Sequence, residues 1–136
     1  MLGLFKQKKK TERARILVVD DEPDLVDTMQ RRLEFFDWDV TTAPNGKEGL
    51  ENALNEKPDL IVLDIDMPVM NGHEMLKQLR EHPNLRDIPV IMCTMSDKVQ
   101  DITKASSNNI CDYLTKPFDF ADLTVKISAA LKSRGN

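Results

Sequence analysis

Five residues of this 136-residue chain have types and placement that could do chemistry together: the adjacent acids Asp20 and Asp21, then Asp64, Thr94 and Lys116. Each follows or closes a short run rich in Val, Ile and Leu. If folding brings the three acids to about 4 Å from one another, each pair repels by roughly 4 kcal/mol at an effective dielectric near 20. A site of that kind either protonates or recruits a hard cation. An all-oxygen donor set with few protein ligands and room for water suits Mg²⁺ best, and no cysteine or histidine belongs to the set. A divalent ion would screen the repulsion between the Asp64 carboxylate and an incoming phosphoryl group, making Asp64 a usable nucleophile. Lys116 would add a second cation and Thr94 a hydroxyl, which are the parts that phosphoryl transfer needs for positioning and charge neutralisation. An acidic pair at a strand end, taken alone, reads more simply as a solvated turn with a helix cap; the joint pattern carries the functional reading.

These residues can meet only if ordered strands bring them to one edge. From Ala14 onward, apolar runs alternate with segments of helical period, the signature of repeated strand-helix units, and five such pairs are present. The expected strands are 15–19, 39–42, 60–63, 89–94 and 112–115. The first helix shows a stripe of Leu25, Met29, Leu33 and Phe36, and the last one of Leu123, Ile127, Ala130 and Leu131. Asn71 followed by Glu74 predicts a capped start for the third helix, and Asn109 a left-handed end for the fourth. Strands one, three and four are almost wholly apolar, which places them in a parallel sheet buried on both faces, a three-layer α/β sandwich. The functional crevice of such a sheet lies at the carboxyl ends of its strands, where strand order reverses.

Composition narrows the alternatives. The chain carries a formal charge of -4, yet residues 1–15 hold six Lys or Arg against Glu12, a net of +5 that leaves -9 for the remainder. An acidic body argues against the broad basic face of a nucleic-acid binder. Residues 1–13 form a basic tail expected to be disordered. Its Met1, Leu2, Leu4 and Phe5 ahead of lysines would permit marginal contact with an anionic membrane, but the solvated leader is the favoured reading. Residues 14–133 form the expected single domain. No apolar run approaches a membrane span, and the start lacks the order of a signal peptide, so a cytoplasmic protein is expected. Cys93 and Cys111 lack metal or redox spacing and read as inert core thiols. Phe35, Phe36 and Trp38 read as packing residues, His73 and His82 as surface histidines, and the methionines near the loops (Met67, Met70, Met75, Met92 and Met95) as loop packing.

Four runs, ILVVDD at 16–21, PDLIVLDIDMPVMNG at 58–72, PVIMCT at 89–94 and DYLTKPF at 112–118, resemble the receiver family of two-component response regulators, in the family's order over about 120 residues. The likeness implies a stand-alone receiver with a flavodoxin-like fold: five parallel strands in order 2-1-3-4-5, flanked by five helices. It also implies roles. Asp64 resembles the phosphoacceptor, Asp20 and Asp21 the metal-binding acids, and the backbone carbonyl of Asp66 a third protein ligand for Mg²⁺. Thr94 looks like the switch hydroxyl, Tyr113 the rotating aromatic and Lys116 the phosphate-binding lysine. The Lys116–Pro117 bond is similar to one that is cis in the family. Asp66 and Ser96 occupy positions that tune phosphoryl lifetime in the family, and Asn109 stands where glycine is common there.

The implied function is a switch rather than an enzyme. A histidine kinase or phosphotransfer protein would supply the phosphoryl group, and a downstream protein would read the fourth helix, fifth strand and fifth helix, where Val99, Ile102 and Val125 could offer apolar surface. Homodimerisation stays open. Alternation along the fifth strand puts Tyr113 on the face opposite Lys116. Two rivals were weighed. A haloacid dehalogenase-like phosphohydrolase would share the Asp64, Ile65, Asp66 pattern and the aspartyl phosphate, but it carries its nucleophile on the first strand and its metal acids after the lysine. A degenerate receiver working without phosphorylation would lack at least one role residue, and all five are present.

Overall fold

The structure, a computed structural model, describes residues 13–95 and 110–135. In chain order the elements are β1 (Arg15–Val19), α1 (Pro23–Glu34), β2 (Asp39–Ala43), α2 (Gly46–Glu56), β3 (Leu60–Asp64), α3 (Gly72–Glu81), β4 (Val90–Met95), β5 (Ile110–Lys116) and α4 (Phe120–Gly135). All strands pair in parallel in the order β2-β1-β3-β4-β5, the order the sequence implies. Four helices are present among the described residues, one fewer than expected. The expected fourth helix, with Ser96, Val99, Ile102 and Asn109, falls in residues 96–109 and lies outside the described residues, as does the tail over residues 1–12.

Period-two alternation divides the strand residues between two cores. Leu17, Val19, Ile61, Leu63, Val90 and Met92 pack with Ala53 of α2 and Met75, Leu76 and Leu79 of α3. Ile16, Val18, Leu60, Val62, Ile91, Cys93 and Leu114 pack with Met29 and Leu33 of α1 and Leu123 and Ile127 of α4. Apolar side chains on both faces of β1, β3 and β4 are what bury the sheet, so the chain's carboxylates can gather only at strand ends. Met67 and Met70 pack against the first core, as loop packing requires.

Strand limits differ from expectation by one or two residues. β4 begins at Val90 because Pro89 has no N–H to give the ladder, although its carbonyl accepts from the Ile61 amide at 3.0 Å. Asn45 and Asn71 cap α2 and α3 by accepting from the Glu48 and Glu74 amides. The packing role expected of Phe35 is not met. Phe36 stacks on Trp38 at 5.3 Å and Trp38 joins the α1/α4 core, but Phe35 is 88% exposed. Both phenylalanines follow the end of α1 at Glu34, and Phe36 is itself 51% exposed, so the expected packing is limited to its stacking on Trp38.

The approach of α3 to β3 fixes the site's floor. The Gly72 amide donates to the Ile65 carbonyl at 2.8 Å, and a Cβ at Gly72 would collide with the Asp64 carbonyl oxygen and stand 2.9 Å from Ile65 Cα. Neither obstacle can move without moving the strand. At Gly49 a Cβ would meet chiefly the flexible end of Met75. Gly72→Ala should therefore lose about 1–3 kcal/mol in urea unfolding, and Gly49→Ala clearly less. Equal losses would show that backbone approach is not the constraint.

Candidate functional site

Strand parity explains why the reactive groups converge. Asp20 continues the Ile16, Val18 side of β1, Asp64 the Leu60, Val62 side of β3, and Lys116 the Leu114 side of β5, so all three emerge above the α1/α4 core. β1 pairs with both β2 and β3, which makes the β1–β3 junction the place where strand order reverses. Asp20 and Asp64 close these two neighbouring strands and are 4% and 6% exposed, whereas Asp21 is exposed. One carboxylate oxygen from each of the three acids lies within 4.8 Å of the others.

Lys116 reaches across β4 into this cluster. Its ammonium donates to Asp20 Oδ2 at 2.8 Å and to Glu22 Oε1 at 3.0 Å, and stands 3.4 Å from Asp64 Oδ1. Asp20 also accepts from the Glu22 amide through Oδ1 at 3.0 Å, which fixes the turn between β1 and α1. Of these contacts the one with Glu22 was not anticipated from the sequence. Its only signal there is the extension of the acidic pair into Asp20, Asp21, Glu22.

Burial and the neighbouring Asp20 charge push the Asp64 carboxyl up from 3.8 to about 6, against the opposing pull of Lys116. Burial would lower the Lys116 ammonium, but its bonds and charge contacts to Asp20, Asp64 and Glu22 outweigh that and raise it. One cation therefore does not neutralise the cluster. The donor set is all oxygen, shares one small volume and holds excess negative charge, the combination that fits Mg²⁺.

Thr94 occupies the end of β4, 1% exposed, and its Oγ1 finds no hydrogen-bond partner among the described residues. A buried hydroxyl without a partner is costly, and a polar group arriving at the strand ends would supply one. Cys93, next to it, is a free thiol inside the α1/α4 core, pushed up to about 12 by burial and inert at neutral pH. Cys111 lies on β5, its side chain outside what the structure describes. Asp66 is exposed just past β3, Tyr113 is exposed on the opposite parity of β5 from Lys116, and Val125 is exposed on α4. The Lys116–Pro117 peptide bond is cis. His73 and His82 lie on and just beyond α3, half-buried, with His82 Nδ1 accepting from the Asn84 amide at 3.1 Å.

Known proteins are similar to this chain in sequence and in fold. The chain is 40% identical over 121 residues to the transcriptional regulatory protein PrrA of Mycobacterium leprae, an alignment covering 89% of this chain and 51% of PrrA. It is 41% identical over 118 residues to the alkaline phosphatase synthesis transcriptional regulatory protein PhoP of Bacillus subtilis, covering 87% and 48% respectively. The chain thus spans about half the length of these relatives. With the protein PilH of Pseudomonas aeruginosa it shares 39% identity over 118 residues, covering 87% of this chain and 98% of PilH. The crystal structure of a CheY-like response regulator receiver domain protein from Methanospirillum hungatei superposes with a TM-score of 0.84 at 30% identity, covering 91% of this chain and 98% of that one. The family model of the response regulator receiver domain matches residues 16–128. The acids, the lysine and the sheet that gathers them lie inside that span, and the chain belongs to the response regulator receiver domain family.

Proposed function

We propose that the chain is a phosphorylation-activated signalling switch in which Asp64 takes a phosphoryl group from a histidine kinase or a histidine phosphotransfer protein. The observation that carries this reading is the convergence of Asp64 with Asp20, Asp21 and Lys116 at the strand-order reversal of a receiver fold. A carboxylate oxygen of Asp64 forms the bond to phosphorus while the donor's P–N bond breaks and its imidazole leaves. Asp20, Asp21, Asp64 and the Asp66 backbone carbonyl would hold Mg²⁺, which supplies the charge neutralisation two meeting anions need. Lys116 neutralises phosphoryl oxygens from the β5 side, and Thr94 donates its hydroxyl to one of them. Such catalysis serves the protein's own phosphorylation and dephosphorylation, so the chain is a signalling component rather than an enzyme acting on others.

Output follows from Thr94 and Tyr113. A phosphoryl group can bias a pre-existing equilibrium only through contacts that differ between states, and the Thr94 bond is such a contact. Movement of Thr94 toward Asp64 leaves space beside β5, where Tyr113 swings inward. The changed face comprises β5 and α4, and a downstream protein or a second copy reads it. The acidic body disfavours nucleic acid as the direct partner, and no described helix is long and apolar enough to cross a membrane. The reading places the switch in the cytoplasm, where the kinases that would serve it deliver their phosphoryl groups.

Incubation with a small phosphodonor and Mg²⁺ should add one phosphoryl group, mapped to Asp64 by mass spectrometry, and Asp64→Asn should add none. Unchanged labelling of that variant would place the acceptor elsewhere. Thr94→Val, which removes the hydroxyl that has no partner among the described residues, should raise the stability of the unphosphorylated protein by about 1 kcal/mol. It should also leave Asp64 reactive while suppressing the phosphorylation-induced chemical-shift changes around Tyr113. A destabilised Thr94→Val protein with an intact shift pattern would sink the switch role of Thr94.

A further inference from the structure

Glu22 occupies the N-cap of α1, followed by Pro23, with an extended backbone suited to capping, yet its side chain makes no cap bond. It points back over the site and accepts from Lys116 at 3.0 Å. Aspartate or serine would satisfy a free helix amide at that position; glutamate has the length to reach the lysine instead. The Lys116 ammonium has three N–H groups. Two are committed to Asp20 and Glu22, while Asp64 stands beyond both at 3.4 Å. Asp20 is buried and held by the Glu22 amide and the strand end, so its hold on the lysine is fixed by the fold. Glu22 is 60% exposed and can leave at little cost.

We infer that Glu22 is a positioning residue that competes with the phosphoryl group for Lys116 and thereby restrains phosphorylation of Asp64. The inference rests on Asp64 being the acceptor. The third N–H, on the Asp64 side, can meet one phosphoryl oxygen as it stands; for Lys116 to turn a second N–H onto the phosphoryl group it must surrender the Glu22 bond, a contact present in the resting protein and lost in the transition state. A ground-state contact of that kind lowers the second-order rate constant with donor, and removing it raises that constant. An exposed ion pair of this type corresponds to roughly a two- to fivefold effect, and salt should shrink it.

Two substitutions separate this role from simple repulsion of an anionic donor. E22Q keeps the length and loses the charge. E22D keeps the charge but is one methylene, about 1.5 Å, too short to reach Lys116. The second-order rate constant for phosphorylation by acetyl phosphate with Mg²⁺ would be measured by intact mass for wild type and both variants, at low and high salt. Competition for Lys116 predicts that both variants react roughly two to five times faster than wild type, with the gain reduced at high salt. If E22Q accelerates and E22D does not, Glu22 acts only through its charge and the positioning role is overturned. Unchanged or slower rates in both variants overturn it as well. Failure of the wild type itself to gain a phosphoryl group would instead sink Asp64 as acceptor, a separate outcome. Urea unfolding of both variants checks that α1 remains intact, so a rate change cannot be charged to a frayed helix.

Discussion

Three carboxylates crowded together at the point where a parallel sheet reverses its strand order, with one ammonium against two of them, organise the rest of this molecule. Asp20, Asp21 and Asp64 bring ligand oxygens within 4.8 Å of one another, and Lys116 answers only part of the resulting repulsion. The outcome is visible in Asp64, whose carboxyl is raised to about 6 by burial and by Asp20 despite the lysine. A native state that tolerates this cost in its resting form gains by binding anything that lowers it. That makes the site responsive to a divalent cation, and the Thr94 hydroxyl, without a partner among the described residues, adds a second unsatisfied demand on the neighbouring strand β4.

The sheet makes this crowding affordable. Leu17, Val19, Ile61 and Leu63 fill one core while Ile16, Val18, Leu60 and Val62 fill the other, so a one-residue slip of β1 or β3 would exchange the sets between cores packed for the other and carry Asp20 or Asp64 to the opposite face. The same register puts Asp20 and Asp64 on one face, one step beyond the last buried aliphatic residues. The site's geometry is therefore enforced by apolar packing beneath it, and by the tight approach of Gly72 to the Asp64 carbonyl, rather than by attraction among its own groups.

Much of this was legible in the sequence. Apolar runs ending in Asp20, Asp64, Thr94 and Lys116 identify both the strands and the residues that must meet, because only strand ends in a two-faced sheet can carry charge. Strand order came from the resemblance; residue spacing alone cannot say which strands are neighbours. Side-chain reach was not legible. Nothing in the run Asp20, Asp21, Glu22 tells that Glu22 declines the helix cap and takes the lysine, since that depends on the angle between β1 and α1. Phe35 and Phe36 show a related gap: two adjacent aromatics look equally apolar in sequence, yet beyond the end of α1 Phe36 stacks on Trp38 while Phe35 is left to solvent.

The central claim, that folding forces Asp64 into an unfavourable electrostatic environment, is tested most directly by unfolding free energies of wild type and Asp64→Asn in the presence of a chelator across pH 3 to 8. A carboxyl raised in the folded state keeps its proton there after the unfolded chain has lost its own, so the penalty is absent below about 3.8, grows as pH rises from there and is complete above about 6. The variant should match wild type near pH 3.5 and become more stable above pH 6, by an amount on the order of 3 kcal/mol at most. Added Mg²⁺ should then stabilise wild type and close the gap. A variant that is equally or less stable than wild type at pH 7.5 without metal would contradict the account.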